Sequence, residues 1–300
     1  MKVDYLIRSV ISLCLFAPLS CVVPEEEGTV ATEPEEKKTV AVVSDEERWL
    51  AEICSPKYKG RFAGTKECDM VVDYISQELE KMGYEVVFQN FKLKDSLDLR
   101  NIIVRRKGDS DSLIVIGAHY DGAVYGEDYP AADDNGSGVV TVLSLSKALS
   151  DSRIKLKKTV LLAFWAAEEV TLNSVFDGSR YFVNHFEEKQ MIQNYCNMDC
   201  FAYKDQGMYF YYSPKNERVG RLMNSILTSY TDDNVEVIVK ENEKKNSDYV
   251  SFSQAGIPYF GWNDYDVSGR IHSYRDSIGS ISIDKIKKAV SCTLDLIVML

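Results

Sequence analysis

Two apolar runs, at residues 113–118 and 159–166, constrain this chain more than any other feature of it. Neither contains a charged residue, and both are far shorter than the roughly 20 residues a membrane helix needs. Neither alternates polar with apolar, so neither reads as a strand with one wet face. Runs of this kind belong to strands covered on both faces, at the centre of an α/β sheet. Shorter apolar segments at 85–91, 101–104, 194–198, 208–212, 235–239 and 257–261 supply further strands. Met70, Val71, Tyr74, Ile75, Leu79 and Met82 recur at helical spacing, and Gly83 stops that helix. Other helical stretches lie near 137–149, 174–188, 215–230 and 282–298. The expected fold is α/β: one domain with a mixed sheet of about eight strands, flanked by helices.

The first residues read as an export signal. Lys2 and Arg8 give a basic start, and an apolar core follows at 10–19. It ends in Ala17-Pro18-Leu19-Ser20-Cys21, which resembles the lipobox of bacterial lipoproteins with Pro18 where Leu is usual. Cys21 is then the lipid-bearing residue. The acidic cluster Glu25–Glu26–Glu27 resembles a surface-export signal, so the expected location is the outer membrane or cell surface, with periplasm or secretion as the alternative. Residues 22–45 are an acidic tether without an aromatic residue, too poor in apolar area to order itself. The globular body is expected at 46–300. Its five cysteines, Cys54, Cys68, Cys196, Cys200 and Cys292, are an odd number whose spacing assigns no bridge, and they read as buried thiols.

Charge narrows the chemistry. The formal net charge is −11, which repels phosphate backbones and argues against nucleic-acid binding. There are 3 His against 46 Asp plus Glu, so any metal site must be rich in carboxylates. In open α/β sheets, ligands bind beyond the carboxyl ends of the strands. There the chain reads His119-Tyr120-Asp121 after the first run and Glu168-Glu169 after the second, with Asp199 after 194–198. Ala132-Asp133-Asp134-Asn135-Gly136-Ser137-Gly138 opens a helix, and Ile271-His272-Ser273-Tyr274-Arg275-Asp276 comes late. Two imidazoles and so many carboxylates at one sheet edge are hard to explain structurally, because the like-charged carboxylates repel one another unless a cation neutralises them. That donor set suits zinc better than calcium or copper(I). The chain has no His-Glu-x-x-His, no Gly-x-Ser-x-Gly and no phosphate-binding Gly-rich loop.

Taken in order, these segments resemble the M28 family of zinc aminopeptidases, as do Gly60-Arg61-Phe62-Ala63-Gly64-Thr65, Asn101-Ile102-Ile103 and Ser247-Asp248-Tyr249-Val250-Ser251-Phe252. The resemblance implies two zinc ions, with His119 and Asp199 on one and Glu169 and His272 on the other. Asp134 would bridge them, with Asp133 as the competing choice. It further implies that Asp121 accepts the second ring proton of His119 and that Glu168 is the general base of amide hydrolysis on peptides with a free N-terminus. Tyr249 stands where family members often have His, which points to substrate recognition. Trp262 and Tyr265, past the last strand, are candidates for lining the pocket.

Two rivals remain. A glutaminyl cyclase shares the fold but uses one zinc. It usually has Trp before the last His and Glu-Asp in place of Glu-Glu, whereas this chain has Ile271 and Glu168-Glu169. An inactive binding module would have lost ligands, and none is missing here.

Overall fold

The computed structural model describes residues 43–93, 96–169, 176–230, 235–242, 247–264 and 269–300. The expectations for the leader, for Cys21 and for Tyr265 lie outside the described residues. Ser44 caps helix α1 (Asp45–Ile53): its hydroxyl accepts from the Glu47 N–H, and the Glu47 carboxylate accepts from the Ser44 N–H.

Helix α2 (Lys66–Lys81) follows, capped by Thr65. The hairpin β1 (Val87–Leu93) and β2 (Leu97–Arg106) leads to the first long apolar strand, β3 (Ser110–His119). After α3 (Gly138–Ser150) come β4 (Lys158–Trp165), α4 (Asp177–His185) and β5 (Ile192–Met198). The chain ends with β6 (Met208–Tyr212), α5 (Glu217–Leu227), β7 (Val237–Glu241), α6 (Tyr249–Gln254), β8 (Tyr259–Asp264) and α7 (Ile283–Met299). The sheet has eight strands in the order β1-β2-β4-β3-β5-β8-β6-β7. Strands β4, β3, β5 and β8 run parallel at its centre, with antiparallel partners β2 and β6 on either side.

The uninterrupted apolar runs are explained by two cores. Ile114, Ile116 and Ala118 of β3, with Val160, Leu162 and Phe164 of β4, face the layer of α1, α2, α3, α5 and α7. Leu113 and Val115, with Leu161, Ala163 and Trp165, face α4 and α6. Every second residue is therefore buried on either side, and no polar phase appears. Helix α3 is buried almost all round, as its composition requires. Gly138 at its start is obligatory, since a Cβ there would lie 2.3 Å from the Met198 carbonyl oxygen at the end of β5. All five body cysteines are buried. No helix among the described residues is long and apolar enough to cross a membrane.

The N-terminal layer is locked by one carboxylate. Glu78 of α2 is buried and accepts from Trp49 Nε1 at 2.6 Å, Arg48 Nη2 at 2.9 Å and Lys81 Nζ at 2.6 Å. Burial alone would raise its pKa, but Lys81, Trp49 and Arg48 outweigh it and hold the carboxyl down to about 2. A depressed carboxylate stabilises above its unfolded pKa of 4.5 and loses that contribution as pH falls towards 2. Glu78→Gln should therefore cost about 1–3 kcal/mol at pH 7. In urea unfolding the gap to the wild type should narrow between pH 7 and pH 3. A gap that stays constant contradicts the pairing.

Candidate metal centre

Parallel strands β4, β3 and β5 end at the same sheet edge, and each delivers an ionisable residue there. His119 is the last residue of β3, Glu168 and Glu169 follow β4, and Asp199 follows β5. Asp134 enters on the turn before α3, and His272 on the segment 269–276. Their donor atoms form three groups, each within 4.8 Å: His119, Asp134 and Asp199; Asp134, Glu169 and His272; and His119, Glu168 and Glu169.

Asp134 joins the first two groups with one oxygen each. Its Oδ1 lies 3.3 Å from His119 Nε2, and its Oδ2 lies 3.1 Å from His272 Nε2. Asp199 Oδ1 is 3.4 Å from His119 Nε2, and Glu169 Oε1 is 2.9 Å from His272 Nε2. Asp133 is turned away: its Oδ1 accepts the Ala202 N–H at 2.8 Å, and its Oδ2 is buried without a hydrogen-bond partner. The pair is oriented by Asp276, whose carboxylate accepts the N–H of Asp133 at 2.6 Å and of Asp134 at 3.0 Å. Asn135 ties the same turn to the end of β5, donating to the Met198 carbonyl at 2.8 Å.

Around this cluster a supporting layer of hydrogen bonds appears. His119 Nδ1 faces the Asp121 backbone carbonyl at 3.1 Å, whereas the Asp121 carboxylate is 3.7 Å away, beyond hydrogen-bond reach. The expected carboxylate contact is thus replaced by a carbonyl contact from the same residue. The physical reason is competition, because the Asp121 oxygens accept the N–H groups of Glu168 and Glu169, each at 3.1 Å. Asp199 Oδ2 accepts from the Ser247 hydroxyl at 2.6 Å. Ser247 in turn accepts from Asn197 Nδ2, Asn197 Oδ1 from the Tyr195 hydroxyl, and Tyr195 from Trp165 Nε1, at 2.8, 2.9 and 3.0 Å. This directional chain aims one Asp199 oxygen inward and leaves Oδ1 buried with no hydrogen-bond partner. A buried carboxylate oxygen left open among imidazoles and carboxylates fits a cation ligand.

The electrostatics agree. Burial works against a charged His119, but Glu168, Asp121, Asp134 and Asp199 overcome it and hold its pKa well above the ordinary value. Contacts with Asp134 and Glu169 push His272 up to about 10. Burial, with the Asp134 charge, raises Glu169 to about 8. Burial likewise raises Glu168, with the charge on His119 opposing and those on Glu169, Asp199 and Asp248 adding. A divalent cation bound among these side chains would displace the imidazole protons and neutralise the carboxylates. Asp248 was missed as a site residue from sequence. It is buried, neither of its oxygens has a hydrogen-bond partner, and burial raises it to about 7.

Two expectations are corrected. Trp262 does not line an open pocket: it is fully buried in β8, edge-on to Phe210 at 5.2 Å, and donates from Nε1 to Thr293 of α7 at 2.9 Å. Tyr249, at the start of α6, is 3% exposed and stacks on Tyr259 at 4.6 Å, so it packs the second core and offers no open surface to substrate. His185 closes α4 on the surface, stacked on Tyr181.

The model of peptidase family M28 matches residues 101–297, which hold all five donors. Leupeptin-inactivating enzyme 1 of Streptomyces exfoliatus is 28% identical over 192 residues, covering 63% of this chain and 41% of that protein. The chain spans less than half the length of the curated relatives it matches first. Among solved structures, a leucine aminopeptidase precursor from Bacteroides thetaiotaomicron superposes with a TM-score of 0.71 at 16% identity, covering 84% of this chain and 95% of that one. A glutaminyl cyclase from Fimbriiglobus ruber gives 0.70 at 17% identity, covering 84% and 93%. At such identities the superpositions establish the fold.

Proposed function

Because the chain belongs to peptidase family M28, we propose that it is a two-zinc aminopeptidase that removes N-terminal residues from peptides. One observation carries this reading: the Asp134 carboxylate faces a different histidine with each oxygen and so joins two three-donor groups. His119, Asp134 and Asp199 would hold one zinc, and Asp134, Glu169 and His272 the other. Zinc bound there would polarise a carbonyl and bring the pKa of water towards about 7.

The chain's own residues do the rest. Glu168 is buried beside His119 and Glu169 and accepts the proton of the attacking water. Its raised pKa suits it to hold that proton and hand it to the leaving amine. Asp121, by accepting the N–H groups of Glu168 and Glu169, fixes the turn that carries both the base and a ligand. The carboxylates gathered at this centre attract a free α-ammonium group, which favours exopeptidase action. The relatives, a leupeptin-inactivating enzyme and a probable leucine aminopeptidase, support a peptide substrate.

The lipobox-like run ending in Cys21 supports export and lipid anchoring. Labelling with an alkyne fatty acid should mark the wild type and not Cys21→Ala. Label on both variants overturns the anchor.

For the enzyme, residues 43–300 stripped with a chelator should lose hydrolysis of aminoacyl anilides, and zinc should restore it as loading approaches two ions per chain. Full activity at one zinc per chain, or cyclisation of N-terminal Gln in place of hydrolysis, overturns the reading.

A further inference from the structure

The strongest unexplained group is Arg61. It is 1% exposed, and among the described residues no carboxylate lies within ion-pair distance of it. A guanidinium buried without a contacting counter-ion is costly, so its five N–H donors need partners, and four of them are hydrogen-bonded. They go to four backbone carbonyls: Nε to Tyr120 at 2.9 Å, Nη1 to Ile53 at 3.1 Å and Pro130 at 2.7 Å, and Nη2 to Ala131 at 2.8 Å.

Those carbonyls have a common meaning. Tyr120 follows His119, and Ala131 stands three residues before Asp134. One planar fork therefore closes both ends of the loop between the donors of the first group and pins it to the end of α1. The backbone that presents the fork is specialised as well. Lys59, Gly60 and Arg61 all have positive φ, at 44°, 79° and 56°. The loop sits on them without room for a side chain: a Cβ on Gly60 would lie 2.1 Å from the Val124 carbonyl oxygen, and one on Gly122 would lie 2.4 Å from the Gly60 carbonyl oxygen. The Gly122 N–H also donates to the Arg61 carbonyl at 3.3 Å.

We propose that Arg61 is a positioning residue for the metal centre, whose guanidinium sets the separation of His119 and Asp134 by clamping the loop that joins them. The inference rests on the two-zinc reading above. Lysine keeps the charge but lacks the planar fork, so it cannot reproduce the four contacts.

The test is zinc affinity by chelator competition at 25 °C, on variants shown to be folded by circular dichroism. Arg61→Lys should bind zinc about 10- to 100-fold more weakly than the wild type, the usual effect of removing a partner that orients ligands. Gly122→Ala disturbs the same seat from the loop side without touching the guanidinium, and should weaken zinc in the same direction. Leu79→Ala, in the core of α2, loses stability and should keep wild-type zinc affinity within about 2-fold. Wild-type zinc affinity in either Arg61→Lys or Gly122→Ala overturns the proposal. So does an equal loss in Leu79→Ala, which would make the effect one of general stability. A wild-type protein that holds no zinc overturns the metal reading itself. A wild type that holds zinc beside an equally tight Arg61→Lys overturns the role of Arg61 alone.

Discussion

Replacing Glu168 with Gln is expected to leave zinc content at the wild-type level and to lower kcat by about 10²- to 10⁴-fold, the range for loss of a general base. The two side chains are nearly isosteric, so the packing of this buried residue survives. The N–H of residue 168 still donates to Asp121, because that contact belongs to the backbone. What disappears is the capacity to take a proton at the carboxyl. The readout is zinc content by elemental analysis alongside steady-state hydrolysis of an aminoacyl anilide. Turnover at the wild-type rate removes Glu168 from proton transfer. Loss of zinc together with activity would instead place Glu168 among the ligands, as its grouping with His119 and Glu169 allows geometrically.

Asp134→Ala is expected to lose both. It deletes the one carboxylate common to the two donor groups, so each is left with two side chains where structural and catalytic zinc sites ordinarily take three or more. Zinc should fall below about one ion per chain at concentrations that saturate the wild type, with activity at background. Asp133→Asn is the contrast. Asp133 accepts the Ala202 N–H and faces away from both histidines, so this variant should lose stability before it loses metal. An active Asp134→Ala enzyme with full zinc would move the bridge elsewhere, and zinc loss confined to Asp133→Asn would move it to Asp133.

The donors were legible in the sequence because chemistry at strand ends leaves a local signature. An apolar run that stops abruptly at His119, or at Glu168 and Glu169, marks both a strand and its functional end. The order of the segments then added Asp134, Asp199 and His272. Strand existence was legible for the same reason, since eight apolar segments gave eight strands. Two helices were not: α1 shows only Trp49, Leu50 and Ile53 as an apolar stripe, and α6 has six residues, too few for a period to emerge.

The supporting layer was not legible either. The chain from Trp165 through Tyr195, Asn197 and Ser247 to Asp199 joins residues up to 50 positions apart, and nothing local marks a Ser as the partner of a distant Asp. Arg61 was visible as part of a matched segment, but its four carbonyl partners depend on how the loops close. Tyr249 was read from its place in a matched segment, which does not reveal the face it turns to, and Trp262 from its place after an apolar run. The apolar run stops at Gly261, but β8 continues to Asp264, so Trp262 lies inside the strand and not beyond it.

The central claim is that His119, Asp134, Glu169, Asp199 and His272 enclose two zinc ions. An anomalous difference map at the zinc edge, from crystals of residues 43–300 grown with zinc, tests it most directly. The account predicts two peaks about 3.5–4 Å apart, with one Asp134 oxygen directed at each, His119 and Asp199 on one ion, and Glu169 and His272 on the other. A map with no peak at these side chains, or with a single peak that leaves His119 and Asp199 without an ion, would contradict it.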